Sequence, residues 1–192
     1  MIAKIKWQDK LIVLAGPAAV GREALAKELS KWLPMKKVIA TTTRPIKSGE
    51  KRGIDYHFVD NERFETLIEQ DVLVAYAEYS GQYYGWLRSE MKKPVSLGLV
   101  PVLVAGPKEA IKIQRRFPTA LTIFVKPDSI STIKKRLMAE GSSIDEIEER
   151  LRFAKEALAK ETVFAYSVVN KESKFDDTVR TVKRIIKSYL GV

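Results

Sequence analysis

The sequence predicts an α/β fold in which a parallel sheet is flanked by helices, and three observations carry that prediction. Short, nearly all-apolar runs at residues 10–15, 99–104 and 120–125 have the pattern of strands buried on both faces. Between them lie segments whose apolar residues recur three and four apart, the spacing of a helix with one buried side. The first run ends at Gly16, where a helix is due to begin.

Each element follows from its residues. Lys-Leu-Ile-Val-Leu-Ala at 10–15 gives the first strand, and 22–32 the next helix, with Leu25, Leu29 and Trp32 along one face. Residues 37–41 read as a strand, and 44–53, rich in Pro, Lys, Ser and Gly, as an exposed loop. Asp60 or Asn61 caps a helix carrying Phe64, Leu67 and Ile68, after which 72–78 and 83–86 are strand-like. The alternation resumes with a strand at 99–104, a helix at 107–116 with Pro107 in its first turn, and a strand at 120–125. Asp128 or Ser129 caps a helix that Gly141 stops, and Ser143 opens a charge-rich helix to about 162. Residues 164–169 form the last strand, and Ser173 caps an amphipathic helix through Tyr189. Strand–helix alternation of this kind predicts a doubly wound sheet with right-handed crossovers. The stretch 44–86 interrupts it and is expected to form a small lobe beside the sheet.

Composition narrows the function. A chain of 192 residues, 45% apolar, suits one domain with an ample core, which excludes disorder. The net charge of +10 favours polyanionic ligands, but the lysines and arginines are interleaved with glutamates, the pattern of a solvated basic surface rather than a nucleic-acid face. With no cysteine and one histidine, disulfides, thiolate metal sites and histidine metal centres are excluded, and no metal-ligating set is assigned. The first ten residues hold no long apolar run and nothing elsewhere reaches membrane-spanning length, so a cytoplasmic setting without membrane contact is expected.

Chemistry concentrates at Gly16-Pro-Ala-Ala-Val-Gly21-Arg22-Glu23. The phosphate-binding P-loop pattern G-x-x-x-x-G-K-S/T places backbone N–H groups around phosphate, a lysine on its outer oxygens and a hydroxyl on magnesium. Gly16 and Gly21 are in place, whereas Arg22 replaces the lysine and the anion Glu23 the hydroxyl. A second constellation pairs Arg44 and Lys47, two cations three residues apart, with the phenols of Tyr56 and Tyr84, a donor set suited to a monophosphate.

Together with the P-loop frame, the runs Thr42-Thr43-Arg44, Gly49-Glu50, Gly53, Asp55-Tyr56, Phe58 and Tyr83-Tyr84-Gly85 resemble the guanylate kinase family, which transfers a phosphoryl group from ATP to GMP. Arg136-Leu137, Arg150-Leu151 with Ala154 and Glu156, and Val168-Val169-Asn170 extend the resemblance over nearly the whole chain. It implies a single domain with a P-loop core at about 1–40 and 98–192, a GMP-binding lobe at about 41–97 and a helical lid at about 128–162. It implies that Gly16, Gly21 and Arg22 form the phosphate loop, that Arg44, Lys47, Tyr56 and Tyr84 hold the acceptor monophosphate, and that Arg22, Arg136 and Arg150 act in transfer. ATP and Mg2+ are the cofactors implied for an active enzyme.

The chain departs from the family pattern elsewhere. Ala75 stands where a glutamate reads guanine, Trp86 where a small hydroxyl does, and Glu140 where a lid arginine is expected; residues 100–106 lack the family's aspartates. Glu78 would face away from Ala75 on a strand and is no evident substitute, and Trp86 either shapes the base pocket or packs in the lobe's core. These departures favour a guanylate-kinase-like protein that keeps the monophosphate clamp and binds a phosphorylated ligand, small or on a protein side chain, with impaired phosphoryl transfer. The alternative is a working ATP:GMP phosphotransferase or a kinase of a related acceptor. Nucleic-acid binding ranks last.

Overall fold

The computed structural model describes residues 10–192; the reading of the N-terminal segment as free of a targeting sequence falls, for residues 1–9, outside them. The described elements run β1 (Ile12–Ala15), α1 (Arg22–Leu29), β2 (Met35–Lys37), β3 (Ala40–Thr42), β4 (Tyr56–Phe58), α2 (Asn61–Glu69), β5 (Leu73–Tyr79), β6 (Gln82–Leu87) and α3 (Arg88–Ser96). They continue with β7 (Val100–Ala105), α4 (Pro107–Arg116), β8 (Leu121–Pro127), α5 (Ile130–Ala139), α6 (Ile144–Leu158), β9 (Tyr166–Asn170) and α7 (Phe175–Leu190).

A five-stranded parallel sheet, in the order β2-β7-β1-β8-β9, is the centre of the molecule, as the α/β prediction required. Its central strand shows why an unbroken apolar run is needed there. Ile12 and Leu14 join one core with Leu25 and Leu29 of α1 and Val182 and Ile186 of α7. Leu11, Val13 and Ala15 enter the opposite core with Met91 of α3 and Ile113 of α4. Each such leucine or isoleucine withdrawn from water contributes roughly 1.5–3 kcal/mol, so both faces must be apolar for the sheet to hold helices on both sides.

A four-stranded mixed sheet, β4-β3-β6-β5, lies beside it. Strands β3 and β4 are parallel and the other pairs antiparallel. Helix α2, whose N-terminus Asp60 caps by accepting from the Arg63 N–H, packs Phe64 and Leu67 against this sheet near Leu73.

Several local expectations change. The strand expected at 37–41 is two strands in different sheets. Val38 N–H still donates to Val102 in the large sheet at 2.9 Å, whereas Thr42 pairs with Tyr84 in the small one. Helix α1 ends at Leu29, leaving Trp32 past its end and 61% exposed, with the Lys183 ammonium 4.6 Å from its ring centroid. Ser173 does not cap α7: its φ is +65°, Lys174 occupies the cap position, and Asp176 and Asp177 supply the negative charge that the helix N-terminus favours. Helix α6 opens on Ser143 as expected, through a capping box with Glu146, but ends at Leu158 before a short 3₁₀ turn. No described helix is long and apolar enough to cross a membrane.

Candidate functional site

A cleft of about 910 Å³ opens where the carboxyl ends of β1 and β7 meet the small sheet and α6. This is where an open α/β sheet offers a crevice to ligands, and the volume suits one or two nucleotide-sized molecules.

The β1–α1 loop forms one wall. Gly16 has φ +145°, and a Cβ there would lie 2.2 Å from the Val125 carbonyl oxygen, so only glycine fits the approach to β8. Two side chains grip the loop from behind: Arg136 of α5 donates to the Ala19 carbonyl at 3.0 Å, and Asn170 at the end of β9 to the Val20 carbonyl at 2.8 Å. Thr178 fixes that amide by donating to its oxygen at 3.0 Å. Because a trans peptide points C=O and N–H in opposite directions, anchoring these two carbonyls turns the N–H groups of Val20 and Gly21 the other way, toward the cleft. The loop is thus arranged to present N–H donors to an anion.

Its two altered positions are both engaged. The Arg22 guanidinium donates to the Ala105 carbonyl at the end of β7. Packing around it lowers its pKa, an effect that Glu23, Tyr56 and Glu109 partly offset, although solvent still reaches part of the residue through the cleft. Glu23 pairs with Lys37, at 2.8 Å. Glu109, in the first turn of α4 and only 6% exposed, holds its proton more tightly than usual because burial disfavours its charge; its own N–H and Arg22 oppose that shift.

The opposite wall is the small sheet and its 44–53 loop. Glu50 accepts from Arg44 at 2.7 Å and from the Lys47 backbone N–H at 2.8 Å, closing the loop around the arginine. The Arg44 guanidinium lies 5.4 Å from the Tyr56 ring centroid and 5.6 Å from that of Phe58, so ring faces and a carboxylate fix its plane. Tyr56 and Tyr84 meet edge to face at 6.1 Å. Burial, then the Glu23 charge and Tyr84, push the Tyr56 phenol up to about 12, which keeps it a donor at any physiological pH.

Toward the lobe interior, Ala75 and Trp86 are paired across β5 and β6, and Trp86 is only 2% exposed. The indole packs in the core with Val38, Ala40 and Met91 while also forming cleft wall. Glu78, set aside from the sequence, does line the cleft, because it lies close to the β5–β6 turn. From the α6 side, Arg150 and Phe153 face the turn: Ser80 donates to Glu149 at 2.7 Å, and the Tyr79 and Phe153 rings lie 4.9 Å apart.

Of the residues singled out from the sequence, Gly16, Gly21, Arg22, Arg44, Lys47, Tyr56, Tyr84 and Arg150 line one cleft. Arg136 supports the P-loop from behind instead. Sequence reasoning missed Lys37, Tyr79, Glu109 and the contacts that Glu149 and Phe153 make from α6. Glu50 was part of a matched motif, but its grip on Arg44 needed coordinates. No three His, Asp or Glu side chains cluster as a metal cage among the described residues. A magnesium ion that brings its own waters and phosphate oxygens needs only one or two carboxylates; Glu23, paired with Lys37, and Glu109 both line the cleft near Arg22.

The family model described as "Guanylate kinase" matches residues 8–189. A guanylate kinase of Desulfitobacterium hafniense is 36% identical over 164 residues, covering 84% of this chain and 82% of that protein. One of Prochlorococcus marinus is 33% identical over 190 residues, covering 96% and 100%. The crystal structure of guanylate kinase from Anaplasma phagocytophilum shares the fold with a TM-score of 0.77 at 25% identity, covering 97% of this chain and 88% of that one.

Proposed function

The chain belongs to the guanylate kinase family, and from that premise we propose that it transfers the γ-phosphoryl group of ATP to a nucleoside monophosphate, GMP being the acceptor of its named relatives. The observation that carries the reading is the prebuilt clamp facing the P-loop across one cleft: Arg44, fixed by Glu50 at 2.7 Å, with Lys47, Tyr56 and Tyr84. We assign residues of about 41–97 to an acceptor lobe, 128–162 to a lid, and the rest to the core. A cytoplasmic location goes with this assignment.

Phosphoryl transfer asks little covalent chemistry of a protein; it asks for alignment and for positive charge around the moving group. Arg44 and Lys47 hold the acceptor phosphate, Tyr56 and Tyr84 donate to its oxygens, and the loop N–H groups hold the donor phosphates. Arg150 reaches in from the lid. Arg22 contributes by exchanging the Ala105 carbonyl for a phosphate oxygen. Magnesium carried by ATP, with Glu23 as its protein contact, would offset phosphate charge.

A second reading has its own support. Arg22 is committed to a carbonyl, Glu23 is paired with Lys37, the β7 strand carries no carboxylate, and Ala75 offers guanine no hydrogen bond. On that reading the P-loop is degenerate, the guanine site is altered, and the protein holds a phosphorylated ligand, free or on a protein, with slow or absent transfer. Incubation with ATP, Mg2+ and a panel of nucleoside monophosphates decides between them. Turnover of about one per second or more establishes the kinase. No turnover, with thermal stabilisation by GMP or a phosphopeptide that disappears in Arg44→Ala, establishes the binder.

A further inference from the structure

Tyr79 closes β5 at the turn of the β5–β6 hairpin, where the small sheet meets the lid. Its ring is held by Phe153 of α6 at 4.9 Å, and the neighbouring Ser80–Glu149 hydrogen bond fixes the same corner. The hydroxyl at the end of that ring is buried and finds no hydrogen-bond partner among the described residues. Buried polar atoms are seldom left unpaired in a folded protein, so one in a ligand cleft calls for an explanation.

Its surroundings specify what is missing. Tyr79 lines the cleft together with Arg150 of α6 and Arg22 of the P-loop, and the positive charge of both acts on its phenol. Both guanidinium groups can only donate, and Glu149 is engaged by Ser80. The small sheet, the P-loop and α6 thus each bring a donor to the lining of one cleft. An apolar group there would leave the phenol unpaired, and a cation would be repelled by both arginines. An oxyanion would satisfy all three.

We infer that the Tyr79 hydroxyl donates a hydrogen bond to the phosphoryl group under transfer, at the point where Arg22 and Arg150 approach it. The inference rests on the phosphotransferase reading of the cleft. It assigns Tyr79 to the terminal phosphate of the donor nucleotide and leaves the acceptor phosphate to Arg44, Tyr56 and Tyr84.

Tyr79→Phe tests it, since the variant keeps the ring on Phe153 and removes only the oxygen. Without ligand its Tm should equal or exceed that of the wild type, because an unpaired buried hydroxyl is lost. By calorimetry with Mg2+ present, ATP should bind the variant about fivefold more weakly, the ordinary worth of one hydrogen bond, while ADP, lacking the terminal phosphoryl, stays within about twofold. Equal affinity for ATP in both proteins, or equal losses for ATP and ADP, overturns the assignment and leaves the phosphotransferase reading standing. A wild-type protein that binds no ATP removes both together.

Discussion

The two ends of the cleft hold their arginines in different ways. At the small-sheet end Arg44 faces the Glu50 carboxylate at 2.7 Å, and that carboxylate also closes the loop carrying the arginine. Its charge is balanced and its plane fixed before any ligand arrives, so a phosphate meets a prepared fork. At the P-loop end Arg22 has a neutral carbonyl for its hydrogen bond, and the nearby Glu109 is itself held toward its uncharged form by burial. That arginine must give up a contact to take a phosphate. The difference teaches that a cation's presence in a cleft says less than what already holds it: one arginine is fixed by a carboxylate on its own loop, the other is occupied by a carbonyl of a neighbouring strand.

The largest expected effect concerns the backbone beneath this contrast. Gly16→Ala forces a side chain to 2.2 Å from the Val125 oxygen and should cost about 3 kcal/mol or more in chemical unfolding. Gly49→Ala, in the 44–53 loop at φ +83° with open space around it, should cost only about 1 kcal/mol. Similar losses at both positions would mean that the β1–α1 loop is no tighter than the 44–53 loop.

Next comes Arg22→Ala. If Arg22 exchanges its carbonyl for phosphate, steady-state turnover should fall about a hundredfold with GMP affinity little changed. Unchanged turnover would show that the guanidinium never leaves Ala105. Arg44→Ala should act in the opposite sense, weakening GMP binding by about ten- to a hundredfold in calorimetry, the range for hydrogen bonds to charged groups. A loss smaller than threefold would break the claim of a prepared fork.

The smallest effect is a pH dependence at the P-loop end. Glu109 has a folded-state pKa above its ordinary 4.5, because burial outweighs its own N–H and Arg22. Such an acid stabilises the fold only where it is protonated, and it costs stability as pH rises through the window above 4.5. Glu109→Gln should therefore raise Tm at pH 8, with the gain shrinking toward zero near pH 4. A gain of equal size at both pH values would show that the carboxylate's charge is not what costs stability.

Much of the fold was legible because burial leaves a period in the chain. Residues 10–15 and 120–125 had to be apolar on both faces to feed two cores, and Ser143 with Glu146 announced α6 by a local hydrogen-bond pattern. Helix α3 was not legible: its Lys-rich sequence buries Met91 and Pro94 but little else apolar, so no period stood out. Trp32 misled for a related reason, since spacing cannot show that a helix has already ended at Leu29.

The sequence by itself determined the parallel sheet, the glycine frame of the P-loop, and a donor set at Arg44, Lys47, Tyr56 and Tyr84 suited to a monophosphate, because these depend on residue type and local spacing. Only the tertiary structure decided where Arg22 and Glu23 point, that Arg136 supports the loop from behind, and that Tyr79 leaves a buried hydroxyl without a partner. Those outcomes depend on Ala105, Lys37, Ala19 and Phe153, distant in sequence from the residues they engage. A side chain's direction is set by the competition among whatever the fold brings within reach, and no local pattern records that competition.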